Sequence, residues 1–301
     1  MRLLLTGATG FVGNYVGRAV EAGEFVANEI VSPPAGWDIR DPAQVASWVA
    51  QVRPQMVLHL AAQSFVPRSF EDPRETYDIN VLGTLNLLLA LKQQRFSGRL
   101  VYVSSGDVYG QVPDAALPVN DSLLPEPRSP YASSKVAAEE LCLQWRRSDG
   151  LDVVIARPFN HIGPGQNERF VLPSIAKQIV AISRGMQPPR IDVGDIDTTR
   201  DFTDVRDVVA AYDAIFHKGV SGRKYLIASG QERRVRDILM QMLDIAGVNV
   251  EIHEDTTRLR PAEQRRMVAD ASLLRGETGW TPRIPFTQTV SDLLEYAKST
   301  T

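Results

Sequence analysis

The chain has 301 residues, 44% hydrophobic and 23% charged, with a formal net charge of -3, which is the make-up of a globular protein with one large α/β domain or two lobes. No basic tract or aromatic–basic patch suggests nucleic acid, and no apolar run approaches a membrane span. The only cysteine, Cys142, excludes an internal disulfide and a cysteine-built metal site, so no metal is expected, and the N-terminus enters a strand without a signal-peptide pattern, so a cytoplasmic protein is expected.

Apolar bursts alternate with helical patterns through the first half. Residues 2–7 read as a buried strand ending in glycine, 11–23 as a helix and 25–30 as a weak strand. A helix over 42–52 is opened by Asp41 and Pro42. A strand over 56–62 is followed by a long helix over 79–94 with an apolar stripe. Strands over 99–105 and 152–158 stand on either side of a helix that starts at Ser129. Strands that are apolar throughout argue for a parallel sheet covered on both faces. After Pro158 the rhythm changes: a glycine- and proline-marked loop over 159–170, a helix over 171–185, a hairpin-like stretch over 188–204, a helix over 205–219, then short elements.

The stretch TGATGFVG places Gly7, Gly10 and Gly13 three apart, where the first strand passes into the first helix. Glycine there permits a tight turn and close backbone approach, and the helix start, with Phe11 and Val12, presents N–H groups to a pyrophosphate. This predicts a Rossmann-type doubly wound parallel sheet. The expected division is a dinucleotide-binding domain of residues 1–160 plus about 201–219, and a smaller C-terminal α/β lobe of about 161–200 and 220–301 that binds substrate. Around 30–34 there is neither an acid to take a free ribose hydroxyl nor a base to take a 2′-phosphate, which leaves NADPH or NADH open. Asp38 and Ile39 come later and are assigned to the adenine.

In SPYASSKVAAEE, Ser129 can cap a helix and Pro130 fits its first position. Tyr131 and Lys135, four apart, then share one face. On a solvated face such a pair usually has no function. In a site it is an acid–base device: a free phenol has a pKa of about 10, and a neighbouring ammonium favours phenolate.

The glycine loop, HLAAQS (59–64), Asn80, VSSGDVYG (103–110) and Tyr131-x-x-x-Lys135 stand in one order. Together they resemble the extended short-chain dehydrogenase/reductase family over essentially the whole chain. RPFNHIGPGQ (157–166), GDIDTTRDFTDVRDV (194–208) and RPAEQRR (260–266) are similar to nucleotide-sugar enzymes, and most to the GDP-mannose branch. The resemblance implies that Tyr131 is the general acid/base, that Lys135 lowers its pKa and holds the nicotinamide ribose, and that Ser105 holds the reacting oxygen, with Ser104 structural. It adds Leu60, Ala61, Ala62, Asn80, Val103 and Pro158 to the cofactor set. Arg200 and Arg260 become phosphate candidates, since a guanidinium offers a planar fork. Asn160 is matched to the diphosphate, Glu263 to ribose hydroxyls, and Ser64 and Arg68 to the hexose. His59 and His161 are read as structural, and Cys142 as a packing residue. Dimerisation through the 79–94 helix and the Tyr131 helix, giving a homodimer, is a family expectation.

Relatives on this scaffold dehydrate, epimerise or reduce. The dehydratases carry threonine, then Asp or Ser, then Glu where this chain has Ser105, Gly106 and Asp107. Glycine offers no proton, and aspartate is one methylene short. The epimerase-reductases use a cysteine near this strand end, which is absent. The expected reaction is therefore NAD(P)H-dependent reduction of the C4 ketone of GDP-4-keto-6-deoxy-D-mannose to GDP-D-rhamnose. The alternatives are a 4,6-dehydratase, an epimerase of another nucleotide sugar, or a non-catalytic NADP-sensing relative.

Overall fold

The computed structural model describes residues 1–255 and 264–301. The first half runs β1 (Arg2–Thr6), α1 (Phe11–Glu21), β2 (Glu29–Val31), α2 (Pro42–Val52), β3 (Met56–His59), α3 (Val66–Glu71), α4 (Pro73–Tyr77), α5 (Gly83–Gln93), β4 (Arg99–Val103), α6 (Pro130–Asp149) and β5 (Asp152–Pro158). The second half adds β6 (Asn160–Ile162), α7 (Val171–Ser183), β7 (Arg190–Val193), β8 (Thr199–Asp204), α8 (Val205–Lys218), β9 (Lys224–Ile227), β10 (Glu232–Arg234), α9 (Val235–Ala246), β11 (Glu251–Glu254), α10 (Ser272–Thr278) and α11 (Phe286–Thr300).

Six strands form one parallel sheet in the order β2-β1-β3-β4-β5-β9. Successive side chains of β1 point to opposite faces. Leu3 and Leu5 enter a core with Val16 of α1 and Tyr212 of α8, and Leu4 enters another with Val49 of α2, Leu88 of α5 and Cys142 of α6. Both faces are covered, which is why the strands read as unbroken apolar runs. From β1 the chain moves outward to β2 and returns on the other side through β3, so the crevice at the C-terminal ends of β1 and β3 is the topological switch point. The smaller lobe has its own core, from Leu172 and Ile175 of α7, Leu239 and Met242 of α9 and Leu293 of α11.

Local chemistry sets the helix that matters most. Ser129 Oγ accepts from Ala132 N at 3.1 Å, Pro130 takes the first position, and Gly150 at φ 70 ends α6. The helix expected over 79–94 starts as a wider π-helical turn, Asp78–Leu82, and becomes α-helical at Gly83. A Cβ at Gly83 would stand 2.8 Å from Ile39 Cγ2, so the close approach of α5 depends on that glycine.

Two expectations are corrected. The stretch 188–204 is not a hairpin: β7 pairs in parallel with β11, and β8 lies between β10 and β6. The residues between them are tied to the start of α9, with Arg236 N donating to Ile196 O at 2.8 Å and Val235 N to Thr198 O at 3.1 Å, and this separates the strands. The boundary at about 220 also fails. β9 is the sixth strand of the parallel sheet, and Leu274 of α10 and Trp280 are buried in the first lobe's core. Tyr225 and Ile227 turn into that core while Leu226 turns to the opposite side, as expected of a strand covered on both faces.

Candidate active site

The glycine turn opens onto the switch-point crevice. Gly7 has φ +74, and a Cβ on it would stand 2.9 Å from Ala61 N. A Cβ on Gly13 would stand 2.6 Å from Ala8 O. Gly10 precedes α1, whose first turn has no side-chain cap and no acidic residue. The Phe11 ring stacks on His161 at 6.0 Å and Val12 packs on the core, so what the turn contributes there is backbone N–H groups. A positive helix end with a backbone cradle that any side chain would fill fits a dinucleotide pyrophosphate. Leu60, Ala61 and Ala62 follow β3 beside it, tied by Ala61 N to Thr6 Oγ1 at 3.1 Å.

The predicted catalytic residues converge. Ser105 ends β4's extension and caps a short 3-10 turn, Gly106–Tyr109, its Oγ accepting from Asp107 N at 3.1 Å. Its hydroxyl is also near enough to the Tyr131 phenol to lower that group's pKa. Tyr131 and Lys135, one turn apart on α6, are both buried. Lys135 Nζ donates to Val103 O at 2.8 Å and lies 5.1 Å from the centre of the Tyr102 ring. Burial draws the Lys135 ammonium down to about 8, opposed by the Glu139 carboxylate. Ser104 is buried and structural in position, its N donating to Ala156 O at 2.7 Å.

One electrostatic expectation is corrected. Burial pushes the Tyr131 phenol above its ordinary pKa, the Asp107 carboxylate pushes it the same way, and the Ser105 hydroxyl acts against both. Lys135 is not among the groups that shift it; its ammonium donates to Val103 O and lies over the face of Tyr102. A phenol in this state is a proton donor at neutral pH.

Several of the residues assigned to binding have partners within the protein. Asn80 is buried and serves the protein: its side chain accepts from Gln63 N at 2.9 Å and donates to Gln63 O at 3.0 Å and Ser134 Oγ at 2.9 Å. It thereby ties the segment after β3 to α6. The Asp38 carboxylate is forked on its near neighbour Arg40 at 2.6–3.0 Å, and Ile39 is buried in the core. Arg68 is exposed and spread over Glu75 at 2.8 Å, Asp72 at 3.5 Å and Glu71 at 3.6 Å. Ser64 and Asn160 are exposed, and Pro158 is buried at the end of β5. Arg200 lies on β8 directly opposite Arg233 of β10, and its guanidinium donates to Thr199 O at 2.7 Å. Arg260 and Glu263 lie outside the described residues. His59 is buried between Thr6 Oγ1 at 2.6 Å and Thr84 Oγ1 at 3.1 Å, and burial holds its pKa down to about 3.

Sequence reading missed one buried cluster. Arg157 of β5 donates through Nε and Nη2 to the two Glu139 oxygens at 2.8 and 2.6 Å, and through Nη1 to Tyr109 Oη at 2.7 Å. The signal was present: an arginine inside an apolar strand, and a glutamate eight residues after Tyr131 on the same helix face.

This sheet order, glycine cradle and Ser–Tyr–Lys set define a Rossmann-type dinucleotide-binding protein built for carbonyl chemistry. The chain belongs to the extended short-chain dehydrogenase/reductase family, and residues 35–293 match the family model of GDP-mannose 4,6 dehydratase. It is 47% identical to GDP-6-deoxy-D-mannose reductase of Pseudomonas aeruginosa over 97% of this chain and 96% of that one. The solved structure of RMD from Pseudomonas aeruginosa complexed with NADPH superposes with a TM-score of 0.93 at 45% identity, covering 99% of both chains. UDP-glucose 4-epimerase of Thermus thermophilus, in complex with NAD, superposes with a TM-score of 0.87 at 29% identity, covering 100% of both chains.

Proposed function

We propose that the protein reduces the C4 ketone of GDP-4-keto-6-deoxy-D-mannose to GDP-D-rhamnose with NADPH. The observation that carries this reading is position 106. The Ser105, Tyr131 and Lys135 needed for ketone reduction are complete, while the place of an elimination acid is a buried glycine closed off by Phe159. The reductase from Pseudomonas aeruginosa, alike over nearly the full length, supports the substrate and the cofactor.

NADPH would supply the hydride when bound, its pyrophosphate held by the Gly7–Gly13 turn and its nicotinamide ribose by Lys135, with residues 60–62 alongside. Ser105 orients the ketone oxygen. Tyr131 donates the proton that oxygen needs as it becomes a hydroxyl, and its raised pKa keeps it loaded for that task. Lys135 stays cationic because Glu139 opposes the effect of burial. The smaller lobe, with Arg200, takes the GDP moiety, and the family resemblance assigns Arg260 and Glu263 to the same task. Exposed Leu82 and Leu89, one heptad apart before and on α5, support a homodimer through α5 and α6.

The test is incubation of the purified protein with GDP-4-keto-6-deoxymannose and NADPH, with the product read by NMR. GDP-rhamnose is expected. Failure to consume the ketone, or tighter calorimetric binding of UDP or dTDP than GDP, overturns the reading. Arg200→Ala should raise KM more than it lowers kcat, because the diphosphate does not change during hydride transfer. Light scattering of a Leu82→Glu, Leu89→Glu variant should give a monomer.

A further inference from the structure

We propose that Glu139, Arg157 and Tyr109 are positioning residues: a buried brace that fixes the turn carrying Ser105 against the helix carrying Tyr131 and Lys135. This rests on the assignment of the ketone chemistry to those three residues.

The geometry is specific. Tyr131, Lys135 and Glu139 stand at successive turns of one buried face of α6, about 6 Å apart along the axis. Glu139 meets Arg157 through two parallel hydrogen bonds of 2.8 and 2.6 Å, with both side chains 2% exposed. Arg157 belongs to β5, next to β4 in the sheet. Its third contact, 2.7 Å to Tyr109 Oη, reaches the last residue of the 3-10 turn that Ser105 caps. Tyr109 also stacks on Phe159, and Arg157 lies 5.1 Å from the centre of its ring. One guanidinium thus joins the three segments from which the reacting groups project.

A simpler account makes the cluster a stability element only. Burying an ion pair is weak evidence for stability, because desolvation offsets most of the attraction. A pair with apolar replacements available, kept beneath the reacting groups, has specificity of position as its better explanation. It also has an electrostatic consequence. The groups facing Lys135 are Glu139 and Cys142 on its own helix, Tyr102 and the Val103 carbonyl on β4, and His59, neutral, on β3. Of the side chains, Glu139 is the main one favouring the ammonium against burial.

The experiment uses the full-length protein with Tyr109→Phe, Glu139→Gln and the neutral double variant Glu139→Gln/Arg157→Met. Tyr109→Phe keeps the ring and the ion pair and removes one hydrogen bond. It should lower kcat at least about tenfold, since misplacement by an ångström can cost on the order of a hundredfold, while KM for NADPH and ketone stay within about twofold of wild type, as expected when transition-state interactions alone are lost. Glu139→Gln should move the alkaline limb of kcat/KM to lower pH, and lysine-selective NMR of the protein without cofactor should show the same direction for Lys135. If Glu139→Gln does not fold, the double variant, which leaves no unpaired buried charge, must show that shift. An unmoved limb and unmoved lysine titration, with kcat of Tyr109→Phe near wild type, overturn the proposal even where melting temperatures fall. Tyr131→Phe is the control: if it stays active, the assignment of the acid has failed instead.

Discussion

Gly106 lies against the ring of Phe159, so close that a Cβ on the glycine would stand 2.9 Å from Cδ1 and 3.0 Å from Cγ. The position therefore has no room for the carboxylate or hydroxyl that an elimination would use. Tyr109 stacks on the other end of this contact, 6.3 Å from Phe159, and holds that ring in place.

The first prediction follows from this packing. GDP-mannose with NAD⁺ or NADP⁺ yields little or no 4-keto-6-deoxy product, whereas the keto sugar with NADPH is consumed. Gly106→Asp does not create a dehydratase. It displaces Phe159 and lowers stability by about 1–3 kcal/mol, as overpacking does. Product analysis and denaturant unfolding check both halves, and rapid formation of the keto sugar from GDP-mannose by the wild type would sink the reading.

Tyr131→Phe removes the proton donor and leaves the binding surfaces unchanged. Turnover falls by at least about a hundredfold, within the range for a positioned acid, while calorimetric binding of GDP stays close to wild type. Lys135→Met damages both turnover and cofactor affinity, because its ammonium anchors to Val103 O at the site's floor and is assigned to the ribose as well. Near-normal rates in Tyr131→Phe would remove the tyrosine from the mechanism.

Asp107 affects the same phenol from a distance. Its carboxylate raises the Tyr131 pKa, so Asp107→Asn lowers it, and ultraviolet titration of the variant should show a tyrosine ionising at lower pH. Reduction at neutral pH changes by only a few-fold, since the phenol remains protonated there. The alkaline limb expected from Lys135 should stay in place, because Asp107 is not among the groups that shift that lysine. Loss of more than about a hundredfold in reduction would show that Asp107 carries a proton after all.

His59 makes stability depend on pH. Its pKa is held down to about 3 in the fold, against about 6.5 in an unfolded chain. Below about 6.5 the unfolded chain binds a proton that the folded chain refuses, so stability falls as the pH drops from there toward 3. Between pH 7 and 5 the loss is about 2 kcal/mol from this residue. Urea unfolding of wild type and His59→Asn at both pH values measures it: the variant's stability should decline less steeply, and equal slopes would remove His59 as the cause.

The sequence by itself determined what depends on neighbours along the chain. Periodicity marked β1, α2 and β5, the Ser129–Pro130 pair marked the start of α6, and three glycines marked the turn at the switch point. Tyr131 and Lys135 were legible for the same reason, because helical geometry alone puts them on one face. Tertiary structure decided whatever depends on partners far apart in the chain. The segment 188–204 looked like a hairpin because strand pairing partners are not encoded locally, and only the fold sends β7 to β11 and β8 to β10 and β6. β9 and α10 join the first lobe because Tyr225, Leu274 and Trp280 find their apolar partners there. Arg68 and Asp38 are different: each is paired within a few residues of itself, Arg68 with Glu75 and Asp38 with Arg40, and those partners lay in view along the chain. The Tyr131 pKa moved opposite to the expectation because desolvation depends on everything packed around a group, and adjacency to a lysine is only one part of that. Glu139, Arg157 and Tyr109 come from three separate segments, and their meeting beneath the reacting groups exists only once the sheet has closed over them.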